Sequence, residues 1–353
     1  MAEEISSVKF KKLETLDFTG YLLDINTKEK TNMLEFEQKH WSSGIEHIAG
    51  IDEAGRGPLA GPVAAAAVIL PDEHSIEGLR DSKKLTEKRR EELFEEIQKE
   101  AVSIGVGIIH EDEIDRTNIL VATQKAMRIA MGQLNPQPEE ALIDGFALPD
   151  QIVPNRGIIK GDDKVPSISA ASIVAKVTRD RIMRNYALAY PEYGFDRNKG
   201  YGTREHISAL ERHMACPIHR KSFRPVRDHL PTLTHLKEHL LVGKWGEKLA
   251  ARYFVHNCYI IEEMNYNAPL YGEIDMIARN GNEIIFVEVK TATQTKLGQP
   301  EDQIDDSKME KLENAFEIYA AAQEVEWDYR FDIVSIFLGR KGPKIKHFKD
   351  CLA

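Results

Sequence analysis

The feature that most constrains this chain is the stretch from Ile48 to Leu70, which reads IAGIDEAGRGPLAGPVAAAAVIL. Two acids, Asp52 and Glu53, end a short apolar run, a glycine-rich turn containing Arg56 follows, and a second apolar run begins at Val63. Short apolar runs bounded by glycine and proline predict two buried strands. Acids at a strand end can hold a cation, while turn amides and an arginine can bind anionic oxygens. The stretch therefore predicts either a metal-assisted phosphate site or a plain acidic turn between strands.

Length and composition set the class of protein. At 353 residues, with 42% hydrophobic and 29% charged residues, the chain is long enough for two globular domains. The N-terminus, MAEEISSVKFKK, has no apolar core, so we expect no signal peptide. The apolar run over Val63–Leu70 is too short to span a bilayer, so we expect no membrane partner. Three scattered cysteines, Cys216, Cys258 and Cys351, indicate a reducing, cytoplasmic location.

Charge is distributed unevenly along the chain, whose formal net charge is -10. Residues 1–150 carry 17 Lys and Arg against 29 Asp and Glu, and residues 236–353 carry 15 against 20. Residues 151–235 reverse this balance with 15 against 8, a net charge of +7. A basic block within an acidic chain indicates either a nucleic-acid site or a solvated helical surface.

Apolar periodicity predicts the first elements. Residues 1–44 are polar and weakly patterned, and we assign them no function. Beyond them the pattern predicts a helix over Leu85–Glu100, a strand over Val102–Ile109 and a second, longer helix over Ile114–Leu134. Strands and helices of this kind, in alternation, are typical of an α/β fold.

Acids recur where later strands are expected to end. A short apolar run ends in Asp144, and a second one leads to Asp162 and Asp163. Each position suits a metal ligand, although an acid at a strand end is also a common turn residue. Asp180 is a remoter candidate, because it lies inside the long helix expected after Pro166, where an ion pair with a neighbouring base is the simpler interpretation.

The pattern resets around residues 231–242, without a glycine- or serine-rich linker. A second α/β pattern follows, in which Asn280-Gly281 is a strong hairpin signal. We therefore expect an N-terminal extension over 1–44, one domain over 45–235 and another over 236–353. In the last of these we expect helices over 244–256 and 309–323 and strands over 258–261, 272–278, 283–290 and 331–338.

His213, Cys216 and His219 form an H-x-x-C-x-x-H cluster. Zinc is one interpretation, but no second pair of ligands follows at a usual spacing, so we assign no metal to the cluster.

Six segments resemble the signature of type 2 ribonuclease H (ribonuclease HII), in family order. They are GIDEAGRGPLAGPVAAAAVIL, DSKKLT, IDG, KGDDKVPSISAASIVAKVTRDR, NKGYGT and PIHRKSFRPV. The resemblance implies a ribonuclease H-like mixed sheet with flanking helices and a helical extension. It also implies cleavage of the RNA strand of RNA/DNA hybrids and incision 5′ of ribonucleotides in duplex DNA, leaving 3′-hydroxyl and 5′-phosphate ends. The alternative within enzymes is the sister type, which lacks single-ribonucleotide incision.

The same resemblance implies roles for individual residues. Four carboxylates would bind Mg²⁺ or Mn²⁺ for catalysis, namely Asp52, Glu53, Asp144 and Asp162. Asp163 is a rival for the last position, because it stands next to Asp162. The backbone of one turn would contact the ribonucleotide, namely Gly55, Arg56 and Gly57. Tyr201 would contact the 2′-hydroxyl, although a packing tyrosine is the alternative interpretation.

Residues 243–350 resemble the YraN-type endonucleases, which have a restriction-endonuclease-like α/β fold. The resemblance rests on GKWGEKLAARY, YGEIDMIARNGNEIIFVEVKT, KMEKL and RFDIVSI. It implies a metal-dependent DNA-cleavage site formed by Asp275, Glu288 and Lys290, with Glu247 as a further ligand. The segment NYNAPLY lacks basic residues that the family commonly has there. The domain is therefore either a DNA endonuclease or a non-catalytic nucleic-acid-binding or scaffold module, and an exposed ion pair in a hairpin is the simplest alternative.

Overall fold

The structure is a computed structural model that describes residues 35–42, 44–151, 153–268, 272–293, 314–315, 318–321, 327–339 and 342–351. Its first sheet has five strands in the order β3-β2-β1-β4-β5. The strands are β1 (Ile48–Ala54), β2 (Val63–Ile69), β3 (Ser103–Ile109), β4 (Glu140–Asp144) and β5 (Asn155–Ile158). The first three pair in antiparallel fashion, whereas β4 is parallel to both β1 and β5, so the sheet is mixed as expected.

Helices flank both faces of this sheet. Helix α4 (Ile119–Gly132) packs on one face, and α2 (Glu87–Glu100) and α5 (Pro166–Ala189) pack on the other. The remaining helices of this part are α1 (Glu35–Trp41), α3 (Glu111–Arg116), α6 (Phe195–Asn198), α7 (Arg204–His213) and α8 (Leu233–Glu238). One prediction was wrong: the helix expected over Ile114–Leu134 is interrupted. The side chain of Asn118 accepts a hydrogen bond from the Val121 N–H and so starts α4 as a new helix.

The long helix α5 packs very closely on β1. A Cβ atom on Gly50 would lie 2.0 Å from the backbone carbon of Ser167, so only glycine allows this approach. The small residues Ala170, Ala171 and Ala175 are fully buried in the same layer. Glu37 of α1, which is buried, accepts a hydrogen bond from the Ser167 N–H and caps the start of α5. The contact anchors α1 to the sheet's main helix.

The second sheet also has five strands, in the order β10-β9-β8-β7-β6. Helix α9 (Val242–His256) precedes β6 (Ile260–Ala268), β7 (Gly272–Asn280), β8 (Glu283–Ala292), β9 (Asp328–Gly339) and β10 (Gly342–Phe348). The hairpin predicted at Asn280-Gly281 is present, with Asn280 paired to Glu283. Only β8 and β9 are parallel, and β10 was not expected from the sequence. The helix predicted over 309–323 lies outside the described residues except for 314–315 and 318–321.

Helix α5 and the segments that follow it share a hydrophobic core with the second sheet. Aromatic side chains from the end of α5 and the loop after it, among them Tyr186, Tyr190 and Phe195, are buried together with Phe254 of α9 and Tyr259. Polar contacts add to the packing, because Tyr190 donates a hydrogen bond to the Lys248 carbonyl oxygen at 2.5 Å. From Glu35 onward, the described residues belong to one compact unit. Every helix that the structure describes is too short or too polar to cross a membrane.

Candidate metal centre and substrate-binding turns

Three carboxylates converge where the parallel strands of the first sheet end. Because Ile51 of β1 pairs with Ile143 of β4, the next residues, Asp52 and Asp144, lie side by side. Asp162 follows β5 in a single 3-10 turn, and the N–H of Gly161 in that turn donates to Asp144 Oδ1 at 2.8 Å. One carboxylate oxygen from each of the three acids lies within 4.8 Å of the others.

The electrostatics of this cluster fit a bound cation. Asp52 and Asp162 are 5% and 6% exposed. Burial and the charge of Glu53 raise the pKa of Asp52 well above its usual range. Burial and the charge of Asp144 raise the pKa of Asp162 to about 6. Three crowded carboxylates repel one another, and a divalent ion with a preference for oxygen ligands removes that repulsion. The donor set therefore suits Mg²⁺ or Mn²⁺.

The structure places the remaining acidic candidates around this cluster. Glu53 follows Asp52 on β1, and its carboxylate pairs with Arg56 of the glycine turn at 3.2 Å. Asp163 points away from the cluster and pairs with Lys84 at 2.5 Å. Of the two adjacent acids, Asp162 rather than Asp163 therefore joins the carboxylate cluster.

Asp180 is buried in α5 and takes no part in the carboxylate cluster. It pairs with Lys176 at 2.6 Å and with Arg90 at 3.9 Å. Asp180 therefore forms ion pairs, but with these residues rather than with the adjacent Arg179 and Arg181.

Two fully buried arginines hold the glycine turn in place. Arg220 donates hydrogen bonds to the carbonyl oxygens of Gly55 at 2.6 Å and Arg56 at 2.9 Å. Arg179 packs against the same turn, so that a Cβ on Gly55, whose φ is 99°, would lie 2.1 Å from its Nε. Arg179 also donates to the Lys199 carbonyl oxygen at 2.9 Å. Because Arg220 occupies carbonyl oxygens of the turn and Arg179 packs against it, the turn is fixed while the Arg56 side chain stays exposed.

Tyr201 lies beside this turn and is 41% exposed. Its ring faces Gly57, since a Cβ there would be 3.8 Å from the ring. Its carbonyl oxygen bonds His206 Nδ1 at 2.9 Å, and Nε2 of His206 bonds Nε2 of His219 at 2.9 Å. This buried chain of rings fixes the loop that carries Tyr201.

The chain of rings also explains the histidine and cysteine pattern of the sequence. His219 Nδ1 accepts a hydrogen bond from the Cys216 N–H at 3.0 Å, so both ring nitrogens of His219 are occupied. His213 is exposed at the end of α7. The cluster serves as a hydrogen-bonded support, and zinc has no free nitrogen of His219 to bind.

Lys83 of the DSKKLT segment had no role predicted from sequence. Burial opposes its charge, but Asp81, Asp52 and Asp162 together raise its pKa, so the ammonium lies within electrostatic reach of the carboxylate cluster. Next to it, the buried hydroxyls of Ser82 and Ser172 share a hydrogen bond at 2.9 Å, which joins this segment to α5. The sequence pointed to Lys83 only indirectly, because DSKKLT is one of the segments that resemble the family.

A family model described as ribonuclease HII matches residues 49–226, half of the chain. The chain belongs to the ribonuclease HII family. Ribonuclease HII of Acetivibrio thermocellus is 56% identical over 199 residues, which cover 56% of this chain and 78% of that protein. The enzyme of Ligilactobacillus salivarius is 46% identical over 239 residues, covering 64% and 93%. A crystal structure of ribonuclease H2 from Pyrococcus horikoshii has a TM-score of 0.44 and 27% identity, covering 52% of this chain and 96% of that one.

Membership of the ribonuclease HII family makes this chain a metal-dependent endoribonuclease, as predicted. A second family model, described as uncharacterised protein family UPF0102, matches residues 246–336. The resemblance of the C-terminal part to the YraN type is therefore also confirmed. The chain joins a ribonuclease HII domain to a domain whose activity its family does not define.

The second candidate site lies where β7 and β8 run beside α9. Glu288 is 2% exposed and bonds Lys290 at 2.5 Å, so both side chains point to one face of β8 as the alternation predicts. Asp275 accepts a hydrogen bond from the Val289 N–H at 2.7 Å. Burial and the charge of Glu288 raise the pKa of Asp275 to about 7.

Helix α9 contributes the fourth residue of this site. A Cβ on Gly246 would lie 1.7 Å from Thr291 Oγ1, so glycine lets the helix rest directly on β8. Glu247 follows, and burial and the charges of Glu273 and Glu288 raise its pKa. The four predicted residues thus lie within electrostatic reach of one another, but they are not among the described side chains whose ligand atoms lie within 4.8 Å.

Proposed function

We propose that residues 45–235 cleave the RNA strand of RNA/DNA hybrids and incise duplex DNA 5′ of embedded ribonucleotides, leaving 3′-hydroxyl and 5′-phosphate ends. The observation that carries this proposal is the close grouping of Asp52, Asp144 and Asp162 beside the turn at Gly55–Gly57 and Tyr201. A site of this shape offers acidic ligands for a cation and backbone donors for a phosphate in one place. We also propose that one domain spans residues 45–235 and the other spans residues 236–353.

Asp52, Asp144 and Asp162 would hold the metal, with Glu53 beside them. Mg²⁺ or Mn²⁺ bound there supplies Lewis-acid activation of a water and charge stabilisation at the leaving 3′-oxygen. The chain itself orients the substrate. Because Arg220 binds the carbonyl oxygens of the turn, the turn is fixed before the substrate arrives.

Selectivity for a ribonucleotide would come from the 2′-hydroxyl group, which DNA lacks. The N–H groups of the turn at Gly55–Gly57 would contact the sugar and phosphate of that nucleotide. The hydroxyl of Tyr201 would bond the 2′-hydroxyl, and its ring would pack on the next deoxyribose. Lys83, whose ammonium lies within electrostatic reach of the carboxylates, would help to balance the negative charge that the phosphate brings. The free cysteines support the inference of a cytoplasmic location.

The test is cleavage of duplex DNA containing one ribonucleotide, with Mg²⁺ or Mn²⁺ added. Asp144→Asn should lower the rate by more than about 100-fold, since even outer-shell changes at metal sites cost 10- to 100-fold. The protein should remain folded and still bind duplex, because phosphate contacts supply most of the affinity. The matched control is Asp163→Asn, which removes the neighbouring acid that pairs with Lys84 and should keep nearly full activity. Near wild-type turnover by Asp144→Asn would sink the assignment.

A second candidate function is DNA cleavage by residues 236–353. The grouping of Glu247, Asp275, Glu288 and Lys290 favours it, because acids with raised pKa values beside a lysine are typical of metal-dependent nuclease sites. The alternative is a non-catalytic module that binds nucleic acid or serves as a scaffold. An Asp52→Asn background, in which the first site is silenced, separates these functions.

A further inference from the structure

A separate cluster of titratable groups lies at the junction of the two domains. His110 and Glu111 stand at the start of α3, whereas His256 is the last residue of α9. Each offers a ligand atom within 4.8 Å of the other two. The rings of His110 and His256 stack with centroids 3.6 Å apart, and His256 Nε2 lies 3.4 Å from Glu111 Oε1. One domain thus supplies two of the groups and the other supplies the third.

Three atoms of this cluster are buried without a hydrogen-bond partner among the described residues. They are His110 Nδ1, Glu111 Oε2 and His256 Nε2. Leaving a buried polar atom unsatisfied costs about 1–3 kcal/mol, so three such atoms together indicate a bound species. Arg252 pairs with Oε1 of Glu111, and Oε2 remains available. Each of the three atoms is of a type that coordinates metals.

The protonation states suit coordination. Burial and the neighbouring His256 lower the pKa of His110 to about 4, so its imidazole is neutral at neutral pH. Glu111 pairs with the guanidinium of Arg252, so its carboxylate is ionised. A neutral imidazole and an ionised carboxylate are the forms that bind a metal.

An entry route is also present. A cleft of about 670 Å³ between α5, α9 and β6 is lined by His110, His256 and Cys258. It places two of the three candidate ligands at a surface that an ion can reach from solvent.

We propose that His110, Glu111 and His256 bind a divalent transition metal, with zinc the best match, and that this ion links the two domains. Two imidazoles and one carboxylate are a typical zinc donor set, unlike the all-oxygen set at Asp52. Since ring lone pairs lie in the ring plane, the stacked rings must turn toward each other to share one ion. Because the ligands come from both domains, the ion stabilises the packed junction and is lost when the domains separate.

The experiment uses the full chain with Asp52→Asn and saturating Mg²⁺, which keeps zinc away from the first site. We expect calorimetry to show uptake of one equivalent of Zn²⁺ and Co²⁺ to give the intense visible bands of a nitrogen-containing, low-coordinate site. Zinc should also raise the thermal unfolding midpoint. His256→Ala and Glu111→Gln should each weaken zinc binding by more than about 100-fold, exceeding the usual cost of an outer-shell change.

His239→Ala is the matched control, because it removes an exposed histidine outside the junction and should leave zinc binding unchanged. If the protein with an unaltered junction takes up no zinc and gives no visible Co²⁺ bands, the proposal fails and ordered water is left to satisfy the three atoms. Zinc uptake that survives both His256→Ala and Glu111→Gln overturns it equally. The Co²⁺ spectrum of the unaltered junction decides the matter even if a variant misfolds.

Discussion

The two acidic clusters of this molecule differ in how their charges are balanced. At the first, Asp52, Asp144 and Asp162 face one another as groups of like charge. At the second, Glu288 is already bonded to Lys290, and Asp275 accepts a backbone hydrogen bond. The first site sits where parallel strands end, whereas the second lies at the end of an antiparallel pair.

This difference separates two kinds of acidic site. A cluster of like charges stores repulsion that a bound cation relieves, so its occupancy and its stability depend on the metal. At the second cluster Lys290 offsets the charge of Glu288, so part of the negative charge is balanced without a metal. The charge balance therefore favours metal-dependent cleavage at the first cluster more strongly than at the second.

The largest expected effect comes from silencing one site at a time. Asp52→Asn should lower incision at an embedded ribonucleotide by more than about 100-fold, because it removes a metal ligand. Any remaining metal-dependent nicking of branched or single-stranded DNA should then disappear on adding Glu288→Gln. If the Asp52→Asn protein cuts no form of DNA yet still binds DNA through residues 236–353, the second cluster is a binding site rather than a nuclease.

Tyr201 tests whether the first site recognises the sugar or only the phosphate. Tyr201→Ala should reduce incision at a single ribonucleotide by about 5- to 150-fold, the equivalent of the 1–3 kcal/mol typical of aromatic stacking. Duplex binding should change little, because phosphate contacts supply most of the affinity. Tyr201→Phe isolates the hydroxyl group. An equal loss of binding and cutting would count against the 2′-hydroxyl role.

The first site should function without the C-terminal domain. A chain ending at Leu241 loses α9 and exposes Tyr186 and Tyr190, each worth about 1.5–3 kcal/mol if fully buried. We expect its thermal unfolding midpoint to fall by about 10 °C, with ribonuclease activity retained below that temperature. Calorimetry and the cleavage assay check this. An unchanged midpoint would show that the shared core adds nothing to the first domain.

The smallest effect is a difference in pH dependence. The folded pKa values of Asp162 and Asp275, about 6 and about 7, exceed the usual value near 4, so the folded state binds more protons. Stability from these groups therefore falls as pH rises from about 4 to 6 or 7. At pH 8, Asp162→Asn and Asp275→Asn should each raise the thermal unfolding midpoint by about 2 °C, which corresponds to roughly 1 kcal/mol in the free energy of unfolding.

Mg²⁺ provides the contrast in that experiment. With Mg²⁺ present, Asp162→Asn should no longer raise the unfolding midpoint, because the ion balances the same charge. Asp275→Asn should still raise it, in addition to the effect of the ion. Equal responses of both variants to Mg²⁺ would remove the distinction between the clusters.

Elements set by local chemistry could be predicted from the sequence. Thr86 caps α2, and Asn280-Gly281 turns the hairpin between β7 and β8, because side-chain caps and turn residues act over a few positions. The interruption between α3 and α4 escaped prediction because the apolar pattern continues across Asn118. The shared core escaped as well, since it joins residues far apart in the chain.

The acids of the first site could likewise be found, because family segments carry them. The buried arginines that hold the neighbouring glycine turn could not be predicted, because a buried arginine and a surface arginine look alike in sequence. Arg179 and Arg220 of the basic block hold backbone carbonyls, while Arg181 and Arg184 pair with acids of α2. Much of the block's positive charge is therefore used inside the protein.

Helix α5 imposes a rule on how this protein can evolve. Its first turn rests on β1 at Gly50, Arg179 in its middle holds the glycine turn, and Tyr186 near its end meets the C-terminal domain. Inserting or deleting one residue in a helix turns everything beyond it by about 100° and shifts it by about 1.5 Å. A point substitution in α5 changes the packing only near that residue. A change in the length of α5 would instead misalign the glycine turn or the domain junction in a single step. Relatives that keep both domains should therefore vary in loop length while holding the spacing within this helix constant.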